Sequence, residues 1–502
     1  MATIIILTLI TLASADYWTE RAHLIASDSS QNIGSSIVLS DKERQVNNIL
    51  MGAKFKEYDQ GFANPETFLP AQHFFKSKSK IEESGVFKFI QKVPKGASLH
   101  SHDSALVSLE YLYNLTYREN LYGCVVNQRL RLHFFDSASG DCEWELIQDL
   151  RKQNSSFDEY LRSQLSIIVD DPEKEYPSIT QVWNRFMQTF STVFGLVAYR
   201  PVFQDYFYQA LKELYDDNVM YIEFRGLLPE VYELNGTTYD PEGVVGLYLE
   251  TLADFKSDYP DFFGARFIYA PSRSVNNKTA DDYVTTATKL KTLFPDFIAG
   301  FDLVGPEDRG KPLVQFIPQL LRLSKSMKFF FHAAETNWCG TTTDMNLFDA
   351  ILLNTTRIGH GYGIVKHPKL LKEVKERHIA LEVSPISNQV LKLVDDLRNH
   401  PGALLVAGGF PVVITCDDPT FWGAKGLSYD WYMAFMGFAS RESDLRMLKQ
   451  LAINSLKYSA MEEEEKCDAF NKWELMWNRF LDEVLKSSVS KYFDCYTVNR
   501  VR

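Results

Sequence analysis

Two histidines, His100 and His102, stand one residue apart at the end of a short apolar run in "KGASLHSHDSA" (residues 95–105). Side chains alternate along an extended strand, so residues i and i+2 lie on the same face. Two imidazoles on one face can therefore share a metal ion. The alternative is a polar strand end with two solvated histidines, because short patterns of this kind also arise by chance.

More side chains of types that can bind a metal ion lie at the ends of later apolar runs: His332, His360, Asp417 and Asp418. A lone histidine at a strand end is more often structural, but four of the ten histidines occur at such ends. Three neutral imidazoles and one carboxylate suit a single Zn²⁺ with a position left open for water. We predict one zinc ion per chain with these ligands: His100, His102, His332 and Asp417. A second ion bridged by an Asp or Glu remains the alternative.

Two further residues are candidates for proton transfer. Zn²⁺ lowers the pKa of bound water towards neutrality and so generates hydroxide. Glu335, three residues beyond His332, can reach a substrate without binding the metal and act as a proton shuttle. His360 in "RIGHGYG" can take the water proton or steady the hydroxide. The alternatives are a surface Glu at a helix start and a core His beside glycines.

The elements that must position these residues follow a regular order from Leu99 onward. Most of the short apolar runs are separated by amphipathic helical stretches, a pattern typical of a parallel sheet covered by helices. The runs are "ASLHSH", "VMYIEFRG", "ARFIYAP", "FIAGFDLVG", "KFFFHAAE", "TRIGHG", "IALEVSP" and "PVVITCDDP". Eight such runs predict an α/β fold of the (β/α)₈ TIM-barrel type, with its active site at the carboxyl ends of the strands.

Other segments lie outside the barrel pattern. We predict an N-terminal helical extension over 16–95, an insertion after the first strand over 115–175, and a C-terminal tail over 486–502. The barrel then comprises 96–114 and 176–485. Cys124 and Cys142 lie close together in the insertion and can form a bridge in an oxidising compartment. Cys416 is expected to be a buried free thiol, and the pairing of Cys339, Cys467 and Cys495 stays open.

The N-terminus, "MATIIILTLITLASADYW", has the character of a signal peptide over 1–15. Ala13 and Ala15 fit the −3 and −1 positions of cleavage before Asp16. The alternative is an apolar N-terminal helix that stays attached. Five N-x-S/T sequons are compatible with passage through the secretory pathway: Asn114, Asn154, Asn235, Asn277 and Asn354. We therefore predict a secreted glycoprotein.

Composition excludes some classes of partner. The 502 residues carry a formal net charge of −12, and a nucleic-acid partner requires clustered Lys and Arg. No long apolar segment follows the leader, so no membrane span is predicted.

With these residues in place, the sequence resembles the adenosine deaminases, specifically the secreted adenosine deaminase-related growth factor branch. The similarity extends over nearly all of residues 90–480. The matching stretches are "LHSHD", "GFDLVGPED", "FFFHAAETNW", "NTTRIGHGYGI", "SPISNQVLKLVDDLRNHP", "CDDPTFWGAKGLSYD" and "LKQLAINSLKYS".

The resemblance implies roles for individual residues in converting adenosine to inosine and ammonia. The equivalent of Glu335 protonates purine N1, and that of His360 assists the attacking hydroxide. Asp418 contacts N7, and the Gly305 backbone N–H contacts N3. Asp103 is the implied partner of the ribose 5′-hydroxyl, and Trp183 lines the nucleoside pocket. By analogy, residues 16–95 form a homodimer, and the Cys124–Cys142 segment binds a cell-surface receptor or glycan.

Two positions depart from the family pattern. Ala334 replaces the glycine of the usual His-Ala-Gly-Glu, so its methyl group is expected to crowd the purine base or shift Glu335 slightly. Ser272 replaces a histidine near the sugar. Two other functions are weighed: a secreted signalling ligand with weak or no catalysis, and a related hydrolase acting on another amide, amidine or nucleotide. Asp103 would repel a 5′-phosphate and so disfavours AMP.

Overall fold

The computed structural model describes residues 2–127, 129–140 and 142–498, with side chains described between 16 and 487. Within these residues, eight parallel strands form a curved sheet, and the predicted (β/α)₈ barrel is confirmed. The strands are β1 Gly96–Ser98, β2 Val219–Gly226, β3 Gly264–Tyr269, β4 Ile298–Phe301, β5 in two segments (Lys328–Phe329 and His332–Ala333), β6 Arg357–His360, β7 Ala380–Val383 and β8 Val412–Ile414.

Pairing runs in order around the barrel. The first segment of β5 pairs with β4 and the second with β6, so β5 joins the two halves of the sheet. Closure occurs just beyond β1, where Ser101 forms a parallel bridge with Asp417 after β8. The His102 N–H donates to the Asp417 carbonyl at 3.1 Å. The "LHSHD" segment therefore lies at the seam of the barrel.

Helices cover the outside of the sheet. Every residue of β2 is buried, as expected for a parallel strand covered on both faces. The α-helices between and after the strands are Leu109–Leu115, Ile179–Val197, Arg200–Asp216, Pro241–Asp258, Asn277–Leu293, Ile317–Leu323, Asn346–Leu352, Pro368–Glu376, Pro385–Val390, Gly402–Ala407, Ser428–Met433, Leu445–Lys457 and Glu463–Val498.

The chain between β1 and β2 carries a small antiparallel sheet. Strand Leu121–Val126 lies between Arg129–Phe134 and Glu145–Leu146, and a Cys124–Cys142 disulfide is present. Short helices follow at Ile147–Gln153, Phe157–Gln164 and Pro172–Glu175. Helix Ile179–Val197 then packs against Arg129–Phe134. At the contact, a Cβ on Gly195 would lie 2.1 Å from the Leu132 carbonyl oxygen, so this close approach requires glycine.

The N-terminal region is helical and packs against the C-terminal helices. Its helices are Ala2–Ser29, Asp41–Ala63, Phe74–Glu83 and Gly85–Ile90. Ser40 and Glu43 form a capping box at the start of the second helix. Glu43 also accepts from Trp477 Nε1 at 2.9 Å, and buried Lys54 donates to the Ser440 carbonyl at 2.8 Å. These contacts bind the region to the barrel domain.

Parts of three predictions fall outside the described residues. These parts are the side chains of the predicted signal peptide, residues 499–502 of the tail and the side chain of Cys495. Cys416 is buried and unbridged, as predicted. Among the helices that the structure describes, none combines the length and apolarity that a membrane crossing requires.

Candidate active site

Histidine and aspartate side chains converge at the carboxyl ends of the strands. One donor atom from each of four buried residues lies within 4.8 Å of the others: His100, His332, His360 and Asp417. A second group of the same kind contains His102, Asp417 and Asp418. The Nε2 atoms of His100 and His102 lie 3.2 and 3.1 Å from Asp417 Oδ1. The structure thus brings the three predicted histidine ligands close to the carboxylate of the fourth, Asp417.

The donor atoms suit a divalent cation. His100 Nε2 and Asp417 Oδ1 are buried and have no hydrogen-bond partner among the described residues. Buried polar atoms are normally paired, so these two indicate a ligand between them. The ring centroid of His100 lies 5.5 Å from that of His102 and 5.0 Å from that of His360. The choice of His102 over His360 as a ligand therefore stays a prediction.

Two buried carboxylates hold the outer nitrogens of these histidines. His100 Nδ1 lies 2.8 Å from Glu382 Oε2, and His332 Nδ1 lies 2.6 Å from Asp302 Oδ2. Such contacts fix the tautomer of a histidine and leave Nε2 free to bind a metal. Arg225 connects the two carboxylates, with donor distances of 2.9 Å to Asp302 and 2.6 Å to Glu382. The result is a continuous charged network beneath the site.

Sequence reasoning missed this network. Arg357 extends it by donating to Glu382 at 2.5 Å and pairing with Glu223 at 2.7 Å. Burial raises the pKa of Glu382, but Arg225 and Arg357 outweigh burial and hold that pKa well below its usual range. A signal was present, because charged residues interrupt runs such as "VMYIEFRG" and "IALEVSP", and buried charges require partners.

Glu335 lies beside the histidine and aspartate group. Its Oε1 is 3.7 Å from His360 Nε2, is buried and has no hydrogen-bond partner among the described residues. Burial and the negative charges of Asp417 and Glu307 raise the pKa of Glu335 well above its ordinary value. A protonated carboxyl group at this position can donate to a ring nitrogen.

Three residues around the site adopt a left-handed backbone conformation that disfavours non-glycine residues. They are Ala334 (φ 56°), His360 (φ 57°) and Asp417 (φ 58°). The Ala334 and Glu335 N–H groups donate to Glu307 at 3.1 and 3.2 Å. Strained backbone of this kind often occurs at functional sites, where surrounding contacts hold it in place.

A cavity of about 150 Å³ opens above these groups. Helix Ile179–Val197 supplies an apolar wall that includes Trp183 and Phe190. The other predicted substrate-binding residues also line the cavity, together with Ser272: Asp103, Gly305 and Asp418. Asp103 Oδ2 accepts from the Tyr248 hydroxyl at 3.0 Å, and burial raises the pKa of Asp103 to about 7. The individual roles of the predicted substrate-binding residues stay predictions.

Comparison with known proteins places the chain in a family. Residues 161–473 match the family described as adenosine deaminase, and residues 4–90 match the adenosine/AMP deaminase N-terminal family. An adenosine deaminase from Phlebotomus duboscqi is 48% identical over 462 residues, covering 90% of this chain and 89% of the relative. Adenosine deaminase 2 from Homo sapiens is 42% identical, covering 92% and 93%.

Solved structures with low sequence identity share the fold. An adenine deaminase from Arthrobacter aurescens superposes with a TM-score of 0.54 at 18% identity, covering 76% of this chain and 98% of its own. An N6-mAMP deaminase from Arabidopsis gives 0.57 at 17% identity, with coverage of 77% and 99%. Sequence matches over most of the chain, together with the barrel and its buried donor group, show that the chain belongs to the adenosine deaminase family and is a hydrolase of that family.

Proposed function

We propose that this chain is a secreted, zinc-dependent enzyme that hydrolyses adenosine and 2′-deoxyadenosine to inosine or deoxyinosine and ammonia. The observation that carries the proposal is a buried Glu335 carboxyl group held beside His360 and the histidine and aspartate donors, within one cavity. Zinc is proposed because three imidazoles and one carboxylate match its preferred donors in catalytic sites.

Different residues donate a proton, accept a proton and orient the purine. A divalent cation, when bound, acts as a Lewis acid that lowers the pKa of water. Glu335 donates its proton to purine N1 and so makes C6 electrophilic. His360 Nε2, which lies 3.7 Å from both Glu335 Oε1 and Asp417 Oδ2, accepts the proton of the attacking water. Asp418 at N7 and the Gly305 N–H at N3 orient the purine.

The sugar end of the cavity favours a nucleoside over a nucleotide. Asp103 lines this cavity, and its carboxyl group can accept from the ribose 5′-hydroxyl. No lysine or arginine stands among the described residues that line the cavity. A 5′-phosphate would lack a cationic partner there and would meet the Asp103 carboxylate instead. AMP is therefore expected to be a poor substrate.

Replacing the proton donor tests the proposal. Glu335→Gln is expected to lower kcat on adenosine by at least about 100-fold, because general acid catalysis contributes about 10²–10⁴-fold. Ammonia release from adenosine, AMP, adenine and guanosine measures the effect and the substrate class together. The matched control is Glu464→Gln, an exposed residue on the C-terminal helix, which should retain full activity.

Two outcomes would contradict the assignment. Full turnover by Glu335→Gln would remove Glu335 from the mechanism. Activity that survives exhaustive chelation of metal would remove the divalent cation. A growth-promoting effect that persists in Glu335→Gln would instead favour the signalling function.

Secretion is part of the proposal and has independent support. All five sequon asparagines are exposed, and the insertion carries the Cys124–Cys142 disulfide, which suits an oxidising compartment. A secreted enzyme could promote growth through depletion of extracellular adenosine. Homodimer formation through residues 16–95 and receptor or glycan binding by the insertion are proposed by analogy with the growth factor branch.

A further inference from the structure

A second group of metal-binding side chains lies outside the active-site cavity. Cys339 and Asp344 stand in the loop that follows β5, and His367 follows the 3₁₀-helix Tyr362–Lys366 after β6. One donor atom from each residue lies within 4.8 Å of the other two. None of the three residues lines the active-site cavity. A thiol, a carboxylate and an imidazole therefore meet at a separate position.

Asp344 is the buried centre of this group. Its side chain is fully buried, and Oδ2 lies 2.9 Å from His367 Nε2 and accepts from the Gly340 N–H at 2.6 Å. Oδ1 is also buried and has no hydrogen-bond partner among the described residues. An unpaired buried carboxylate oxygen is costly, so it indicates a missing donor or cation.

Cys339 makes the group accessible from solvent. It is an exposed, unbridged cysteine beside the largely buried His367. Thiolate and imidazole select zinc and similar divalent ions over Mg²⁺ and Ca²⁺. A tetrahedral zinc ion needs donors about 3.5 Å apart, given bond lengths of about 2.0–2.3 Å. The exposed Cys339 side chain can close the remaining distance by changing its rotamer.

We propose that Cys339, Asp344 and His367 form a second site for a zinc-like divalent cation, separate from the barrel centre. Water completes the coordination, and the Cys339 thiol releases its proton to solvent when the metal binds. A bound ion would connect the loop that follows Glu335 to the end of the 3₁₀-helix that follows His360. The site would therefore restrain two segments next to the proton-transfer residues without contacting substrate.

Cobalt titration of the holoenzyme tests this site by spectroscopy. The predicted centre in the barrel contains only nitrogen and oxygen donors, so a near-ultraviolet sulfur-to-cobalt charge-transfer band reports Cys339 alone. The wild-type protein is expected to bind one added equivalent of Co²⁺ with this band. Cys339→Ser should lose the band, and His367→Gln should weaken cobalt binding at least about tenfold.

The matched control is Cys467→Ser, which removes another exposed free cysteine, on helix Glu463–Val498. This variant should keep the band at wild-type intensity. Absence of the band in the wild-type protein at saturating cobalt, or its persistence in Cys339→Ser, would overturn the proposal. Adenosine turnover should be retained in Cys339→Ser, which shows that the variant is folded and separates failure of this site from failure of the proposed function.

Discussion

Arg225 is a single residue on which the geometry of the candidate active site depends. Its fully buried guanidinium donates to Asp302 and Glu382, the two carboxylates that contact His332 and His100. It also donates to the backbone carbonyls of Leu99 and Phe330 at 3.2 and 3.1 Å. A planar group with several fixed donors can hold both carboxylates at once, which a lysine cannot reproduce.

Removal of Arg225 should therefore damage both stability and metal binding. Arg225→Met is expected to lower the free energy of unfolding by about 3–5 kcal/mol, because it leaves two buried carboxylates short of a cation. Metal affinity should fall by about 10–100-fold as the histidines lose their orientation. Urea unfolding and competition with a chelator measure the two effects. Unchanged metal affinity in a folded Arg225→Met protein would show that the network does not orient the ligands.

A surface pair provides the comparison for Arg225. Arg398 pairs with Asp396 and is about half exposed. Arg398→Met should change the free energy of unfolding by less than about 1 kcal/mol and leave metal affinity unchanged.

Ala334 carries a methyl group at a position whose left-handed backbone conformation favours glycine. Ala334→Gly removes left-handed strain worth about 1 kcal/mol, which offsets the added freedom of glycine in the unfolded chain. Its free energy of unfolding should therefore stay near the wild-type value. Ala333→Gly, in the second segment of β5, carries no such strain and should lose about 1 kcal/mol. Equal losses in the two variants, measured by urea unfolding, would contradict the strain at Ala334.

At the scale of elements, Glu43 joins the N-terminal helix Asp41–Ala63 to the C-terminal part of the chain. Burial raises the pKa of Glu43, but hydrogen bonds from Lys449, Ser40 and Trp477 outweigh burial and lower it to about 2. The folded value lies below the unfolded value, so the ionised group stabilises the fold above about pH 4.5. This contribution is lost as the pH falls from 4.5 towards 2.

Glu43→Gln should therefore reduce stability in a pH-dependent way. The loss in the free energy of unfolding should reach up to about 3 kcal/mol at pH 7 and shrink as the pH falls below 4.5. Urea unfolding at several pH values measures the difference from wild type. A difference that stays constant from pH 7 to pH 3 would show that the Glu43 charge is not responsible. Glu464→Gln serves again as the exposed control.

The strands could be predicted because each one follows from a local pattern of apolar residues in the sequence. Each barrel strand corresponds to a short apolar run in the sequence. The residues at the ends of these runs, such as His332 and Asp417, line the site. The charged residues inside the strands were visible in the same runs. Their pairing, for example Glu382 with His100, depends on strands far apart in sequence and was not predicted.

At the scale of the whole molecule, the insertion packs against a helix that lines the candidate active-site cavity. Helix Ile179–Val197 contributes Trp183 to the cavity and packs its other side on strand Arg129–Phe134. The Thr192 hydroxyl donates to the Leu130 carbonyl at 2.8 Å across this contact. The disulfide from Cys124 constrains the neighbouring strand of the same sheet. We therefore expect the insertion to be coupled to substrate binding through this helix.

Loss of the disulfide should affect substrate binding more than chemistry. The double variant Cys124→Ser with Cys142→Ser is expected to raise KM for adenosine by about 3- to 10-fold, equivalent to about 1 kcal/mol. Its kcat should change little, because Glu335 and His360 lie on other elements. Cys467→Ser is the control for loss of an unbridged cysteine. A fall in kcat with unchanged KM in steady-state assays would contradict this coupling.

The sequence by itself determined the barrel, the convergence of the predicted metal ligands and membership of the family, because apolar runs and their terminal residues are local features. Only the tertiary structure decided which charges pair beneath the site, that His360 lies as near to His100 as His102 does, and that Cys339 meets His367. The physical reason is closure of the sheet: the register of eight strands sets distances between residues up to about three hundred positions apart, and no local pattern encodes that register.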